Sequence, residues 1–201
     1  MAWIRTISYA DSDGKLRRLY DRIKGPGDNV DNIMAVHSLR PHTMEAHMTV
    51  YKYVLHHSAN ELSKSFLETV GVYVSLLNDC AYCVEHHAAG LRRLLSDDAR
   101  SDAVFAALRS DRPDEAFDGA ELAMLRYARA LTVAPGSVDA AMLAGMREAG
   151  VDDGRILELN QVTAYFSYAN RTVLGLGVTT EGDIIGLSPN DSDNPDDWSH
   201  R

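Results

Sequence analysis

Cysteine is scarce in this chain of 201 residues, which carries only two, at positions 80 and 83. Secreted scaffolds held together by disulfides carry more cysteines at longer spacings, so the chain does not belong to that class. No apolar run is long enough to cross a bilayer, and the first 18 residues lack the apolar core of a secretory signal. We therefore expect a soluble protein of the cytoplasm.

Positive charge is also in the minority, because 20 Lys and Arg stand against 29 Asp and Glu, a formal net charge of −9. An acidic chain binds poorly to nucleic-acid phosphates and to anionic lipid, so we expect neither partner. The length and the 45% of apolar residues suit one domain with tails. We expect an N-terminal arm with a short helix over 1–40, a helical domain over 41–187, and an acidic, disordered tail over 188–201. Trp198 is the tail residue expected to dock.

The alternation of apolar and polar residues that marks strands is missing too. Apolar residues instead recur at spacings of three and four, which is typical of helices. Asp79 is expected to cap the helix that carries both cysteines. The predicted fold class is all-α, with helices over 15–23, 42–57, 61–78, 80–95, 97–108, 120–132, 137–148 and from 152 or 153 to about 174.

The two cysteines form a Cys-x-x-Cys pair at the start of the predicted helix 80–95. Their sulfurs lie one turn apart, close enough to form a disulfide, and a helix N-terminus stabilises a thiolate. His87 follows Cys83 by four residues and Cys80 by seven, so it lies on the same helix face. An imidazole in this position can accept the proton of a thiol.

Glu68 is expected to reach the same site from the preceding helix. It lies about ten residues before the turn at 78–79, and His87 lies about eight residues after it. In an antiparallel hairpin of helices, both are then roughly 12–15 Å from the turn. A carboxylate beside an imidazole raises its basicity and orients it. The predicted catalytic residues are therefore Cys80, Cys83, His87 and Glu68.

The pattern Glu68-x11-Cys80-Ala-Tyr-Cys83-x3-His87 resembles the active-site motif of the alkylhydroperoxidase D-like and carboxymuconolactone decarboxylase-like superfamily. The similarity is greatest to its peroxidase-related branch. Carboxymuconolactone decarboxylases share the fold without the cysteine pair, so decarboxylation is not expected. Two further segments support the resemblance, namely residues 75–78 and 165–178.

The resemblance implies an all-helical alkylhydroperoxidase D-like fold that assembles as a trimer or a hexamer. It also implies reduction of hydroperoxides through a cysteine sulfenic acid and then a Cys80–Cys83 disulfide. By the motif, Cys83 matches the peroxidatic cysteine and Cys80 the resolving one, while Glu68 and His87 match the proton relay. The implied reductant is a dithiol, such as a dihydrolipoyl protein.

Arguments from the residues alone differ on which sulfur attacks the peroxide. The helix N-terminus favours Cys80, because its partial positive charge is strongest there. The one-turn spacing to His87 favours Cys83, since Cys80 is about 10 Å from His87 along the helix axis. The resemblance agrees with the second argument, and we predict that Cys83 is oxidised first.

Tyr82 departs from the family pattern, because the family's peroxidases carry a second histidine between the cysteines and tyrosine is a weaker base. A dithiol–disulfide oxidoreductase or a redox sensor is therefore the alternative function. Zinc is a further alternative, but Cys80, Cys83 and His86 or His87 supply three ligands where structural zinc normally takes four. Inert buried thiols are the last alternative.

We expect no metal ion and no cofactor. His86 lies about 100° around the helix from His87, so it is expected to face solvent or a neighbouring subunit. The other histidines have spacings too loose for a metal site and are expected at the surface or at an interface. These histidines, which precede the cysteine pair, are His37, His42, His47, His56 and His57.

Overall fold

The computed structural model describes residues 2–189, Asn194 and Trp198. The all-α fold class is confirmed, and each predicted helix is present with ends within three residues of those expected. A short helix over Asn32–Ala35 was not predicted. No helix in the described part of the chain is long and apolar enough to cross a membrane. The α-helices of these residues are α1 Gly14–Ile23, α2 Asn32–Ala35, α3 Pro41–Leu55, α4 Lys64–Leu77, α5 Ala81–Leu95, α6 Asp98–Arg109, α7 Gly119–Val133, α8 Ala140–Glu148 and α9 Asp153–Leu176.

The turn between α4 and α5 differs from the expected one, in which Asp79 caps α5. Asp79 has a left-handed backbone (φ 55°) and its N–H bonds the carbonyl of Leu76, while the N–H of Cys80 bonds that of Ser75. This pair of hydrogen bonds is a Schellman motif, which closes the preceding helix. Asp79 therefore ends α4, and Cys80 takes the N-cap position of α5.

Helix α4 is the centre of the fold. Every residue from Phe66 to Ser75 is buried, and the helix packs against α5, α7 and α9. A glycine at position 71 is required there, because an added Cβ would overlap the ring of Phe166 from α9. This close approach brings α9 and α5 to the same stretch of α4.

After α9, the chain runs back along the N-terminal part of the fold, where it contacts Asn32. We call residues 177–189 the C-terminal strap. Asn32 holds it, because its side-chain amide donates to the carbonyls of Thr179 and Glu181 and its backbone N–H donates to Asp183. Arg93 of α5 donates to the carbonyl of Gly186. The strap therefore covers the outer side of α5.

The tail that was expected to be disordered, residues 188–201, lies largely outside the described residues. Those not described within it are 190–193, 195–197 and 199–201. Trp198 is described and is buried, with the guanidinium of Arg22 over its indole ring at 3.7 Å from the centroid.

Candidate active site

The two sulfurs lie 3.1 Å apart at the first turn of α5. Both cysteines are reduced and buried, with Cys80 fully enclosed and Cys83 exposed over 3% of its surface. The separation is that of a hydrogen bond between thiols, and an S–S bond is about 2 Å long. A small movement of the first turn of α5 would therefore close a disulfide.

Glu68 and His87 meet across the hairpin of α4 and α5. Glu68 Oε2 lies 2.7 Å from His87 Nδ1, and Glu68 is buried. Burial favours the neutral acid, but the charge of His87 and the hydrogen bond from it outweigh that effect and lower the pKa of Glu68. Nδ1 of His87 therefore donates to a carboxylate, and Nε2 is left for another partner.

Asn170 of α9 was not predicted as a site residue. It is fully buried, its Nδ2 donates to Ser75 Oγ at 3.0 Å, and its Oδ1 accepts from Asn78 at 2.9 Å. Hydrogen bonding by its amide favours the thiolate form of each cysteine, as a smaller cause than the contact between the two sulfurs and their burial. The available signal was a polar side chain at helical spacing from the apolar residues Phe166 and Val173.

The pKa values of the two thiols are shifted in opposite directions. The hydrogen bond with Cys83 lowers the pKa of Cys80, whereas the hydrogen bond with Cys80, together with burial, raises the pKa of Cys83. The first negative charge on the pair therefore resides on Cys80, as the argument from the helix N-terminus expected.

Access favours the other sulfur, that of Cys83. A partly open cavity of about 50 Å³, with room for a few water molecules, is lined by Cys83 and not by Cys80. Glu68 and His87 line the same cavity, so the structure brings three of the four predicted site residues to one space. Residues 186–188 of the strap form one part of its wall, and the rest of the wall is mostly apolar or aromatic, including Met34, Met48, Tyr51 and Tyr165.

A second polar cluster flanks the cavity, and it corrects the expectation that His86 faces outward. His86 is buried, its ring lies 4.7 Å from that of Tyr82, and its Nε2 is 3.3 Å from Asp183. The strap covers this face of α5, which the helical spacing alone could not show. Burial, more than the nearby charges of His86 and Asp183, sets the pKa of Asp31 in this cluster at about 6.

Three of the other histidines are also buried, against expectation. His37, His47 and His56 lie inside the fold, and His47 Nε2 is 3.0 Å from the hydroxyl of Tyr165. Aromatic rings surround His47, which is why a polar residue on α3 faces inward. Among the described residues, no group of histidine, cysteine and acidic side chains is arranged to hold a metal ion.

An all-helical fold with a reduced Cys-x-x-Cys pair beside a His–Glu pair defines a class of thiol proteins. Comparison with known proteins adds a family match. Residues 41–130 match the sequence model of the carboxymuconolactone decarboxylase family, which confirms the predicted resemblance over this part of the chain. A comparison with curated proteins found no match.

Solved structures share the fold over most of the chain. One, described as an alkylhydroperoxidase AhpD core, is a peroxidase-related protein from Ralstonia eutropha JMP134, with 22% identity, a TM-score of 0.76 and coverage of 89% of this chain and 91% of that one. A peroxidase-related protein from Silicibacter sp. TM1040 has 25% identity, a TM-score of 0.65 and coverage of 75% and 76%. The debrominase Bmp8 has 16% identity, a TM-score of 0.69 and coverage of 87% and 89%.

Proposed function

We propose that this protein is a thiol-dependent hydroperoxide reductase that cycles through a Cys80–Cys83 disulfide. The observation that carries the proposal is the cavity that Cys83 shares with the Glu68–His87 pair. The sulfur of Cys80 lies 3.1 Å from that of Cys83 and does not line the cavity. The family domain and the similar structures named as peroxidase-related support the same reaction class.

In the first half-reaction, Nε2 of His87 accepts the proton of Cys83, and Glu68 stabilises the resulting imidazolium. The Cys83 thiolate attacks the peroxide oxygen, so an S–O bond forms and the O–O bond breaks. The leaving alkoxide takes the proton from His87 and departs as an alcohol. Sulfur is oxidised to sulfenic acid, and the peroxide is reduced.

In the second half-reaction, the sulfur of Cys80 attacks that of Cys83, and the hydroxyl of the sulfenic acid leaves as water with one added proton. The lowered pKa of Cys80 suits this step, because the resolving sulfur must be a thiolate. A dithiol then reduces the disulfide. We propose a dihydrolipoyl-type dithiol as this reductant, on the basis of the family resemblance.

We also propose that the chain forms a homo-oligomer, a trimer or a hexamer. The family resemblance suggests the assembly, and exposed apolar side chains on α3 and α9 support it, among them Val50, Leu157 and Tyr168. Light scattering at micromolar concentration should give three or six times the mass of one chain. A monomeric mass would contradict the assembly.

One observation favours the alternative of a redox sensor or a dithiol–disulfide oxidoreductase. Both sulfurs are buried and the cavity beside Cys83 holds only a few water molecules, which suits a thiol pair that is oxidised once and slowly. Turnover separates these functions. With tert-butyl hydroperoxide and excess dihydrolipoamide, a reductase consumes many equivalents of peroxide per chain, whereas a sensor consumes one.

A further inference from the structure

Tyr165 is a residue of the cavity wall whose hydroxyl the proposed cycle leaves without a role. Tyr165 lies on α9, lines the cavity together with Cys83, and is exposed over 6% of its surface. Its ring stacks on that of Tyr51 at 5.5 Å with an angle of 20°. This packing fixes the direction in which the phenol points.

His47 lies within hydrogen-bond distance of the hydroxyl of Tyr165. His47 Nε2 and Tyr165 Oη are 3.0 Å apart, while Nδ1 of His47 is buried and has no hydrogen-bond partner among the described residues. Burial, with a further contribution from His37, lowers the pKa of His47 to about 3. The imidazole is therefore neutral at physiological pH and carries a single proton.

The position of that proton decides what the phenol can do. When it is on Nε2, His47 donates to the phenol oxygen, and the O–H of Tyr165 is free to donate into the cavity. A donor bonded to the oxygen also polarises the O–H and makes it a stronger donor. Burial first, and then the negative charges of Cys83 and Glu68, raise the pKa of Tyr165, so the phenol keeps its proton.

Cleavage of an O–O bond needs such a donor. Negative charge develops on the leaving oxygen inside a small cavity with a mostly apolar or aromatic wall, where an unsatisfied anion is costly. Tyr82 also lines the cavity, but its hydroxyl already donates to Asp183 at 2.6 Å. With the proton of His47 on Nε2, the hydroxyl of Tyr165 has a donor behind it and remains free to donate.

We propose that Tyr165 is a catalytic hydrogen-bond donor whose hydroxyl, positioned by His47, binds the leaving oxygen of the hydroperoxide. The inference rests on the proposed function and adds one group to it. The proton that His87 removed from Cys83 still ends on the leaving oxygen, and Tyr165 retains its own. His47 also lines the cavity, and in this proposal it acts through the hydroxyl of Tyr165 as a positioning residue.

Tyr165→Phe tests this role with two oxidants whose leaving groups differ. Tert-butyl hydroperoxide expels a strongly basic alkoxide, whereas peracetic acid expels acetate, which needs little stabilisation. We expect the variant to oxidise Cys83 about 10- to 100-fold more slowly with the hydroperoxide, the scale of one lost oxyanion donor. With peracetic acid the change should be less than about threefold.

Tyr168→Phe is the matched control, because Tyr168 is on the same helix and its ring also packs on His47 but does not line the cavity. It should react as the wild type does with both oxidants. His47→Leu keeps the phenol but removes its donor, so it should show the same selectivity with a smaller loss. Alkylation of Cys83 by iodoacetamide expels iodide and should be unchanged in Tyr165→Phe.

The outcomes separate this inference from the proposed function. If wild-type Cys83 reacts with neither oxidant, the proposed function is wrong and the role of Tyr165 is lost with it. If the wild type reacts and Tyr165→Phe slows both oxidants equally, or neither of them, only the role of Tyr165 is wrong. A selective loss with the hydroperoxide supports it.

Discussion

Tyr82, the second residue between the two cysteines, donates a 2.6 Å hydrogen bond to the carboxylate of Asp183 in the C-terminal strap. Burial first, and then Asp183, raise the pKa of Tyr82, so the phenol stays protonated. Its oxygen also accepts from the N–H of Ile33 at 3.2 Å. Where the family's peroxidases carry a second base, this chain therefore carries an anchor for the strap, which forms part of the cavity wall.

Loss of this anchor should open the cavity to larger reagents. A hydrogen bond to a carboxylate contributes on the order of 1.5–3 kcal/mol, so Tyr82→Phe should increase the open population of the strap about tenfold or more. Alkylation of Cys83 by a bulky maleimide should accelerate by that factor, and alkylation by iodoacetamide should change less. Tyr73→Phe is the control, because it removes a 2.6 Å bond to Asp111 that is not part of the strap. Equal acceleration in both variants would show that Tyr82 does not gate access.

The Glu68–His87 pair should act as a unit. Glu68→Gln and His87→Ala should each slow the reaction of Cys83 with hydroperoxide by roughly one to three orders of magnitude, the scale of lost acid–base help. Because Glu68 acts through His87, the double variant should be no slower than His87→Ala. Stopped-flow measurement of thiol oxidation across pH checks this.

Glu85→Gln, which changes an exposed carboxylate on α5, is the control for the pair. It should react at the wild-type rate. Multiplicative losses in the double variant would mean that the two residues act independently.

The sequence predicted the helices and the hairpin because both follow from local spacing. The same spacing indicated that Glu68 and His87 would meet, since two antiparallel helices joined by a tight turn fix their depth. It did not indicate Asn170 or Tyr165, which reach the site from α9, some ninety residues further along the chain. It also placed His86 outside, because burial of that face depends on the strap, a segment without helical periodicity.

Gly71 carries a packing requirement that the sequence pattern also did not show. Gly71→Ala should lower the free energy of unfolding by roughly 1–3 kcal/mol, because the new methyl group overlaps the ring of Phe166 and neither helix can move freely. Gly145→Ala in α8 is the matched control. No atom lies within 4 Å of its added Cβ, so it should raise stability by about 0.5–1 kcal/mol. Urea unfolding measures both, and two stabilised variants would contradict the packing argument.

His47 should make the protein sensitive to mild acid. Its folded pKa of about 3 lies below the ordinary value near 6.5, so below about pH 6.5 the unfolded state binds more protons than the folded state. The stability that neutral His47 contributes is present above pH 6.5 and is lost as the pH falls toward 3. Between pH 7 and pH 5, this loss is on the order of 2 kcal/mol.

His47→Gln should remove this part of the pH dependence. The free energy of unfolding of the variant, measured with urea at pH 7 and pH 5, should therefore fall less than that of the wild type. His42→Gln changes an exposed histidine and should leave the slope unchanged. If the free energy of unfolding of His47→Gln fell between pH 7 and pH 5 as much as that of the wild type, burial of His47 would not be the cause of the acid sensitivity.

The two sulfurs should have different roles, although two properties of the pair point in opposite directions. The lower pKa of Cys80 makes it the better thiolate at rest, whereas Cys83 lines the cavity and Cys80 does not. Access decides, because a peroxide must reach the sulfur that attacks it and protons move between thiols 3.1 Å apart far faster than substrates arrive.

Single serine variants test the assignment with a sulfenic-acid probe. After hydroperoxide, Cys80→Ser should carry the label on Cys83, because no second thiol is present to resolve the sulfenic acid. Cys83→Ser should carry little label, since Cys80 lies behind the cavity wall. Label on Cys80 in Cys83→Ser, with no label on Cys83 in Cys80→Ser, would reverse the two roles without contradicting the Glu68–His87 contact. Label on neither residue would point to a pair that exchanges disulfides without reducing peroxides.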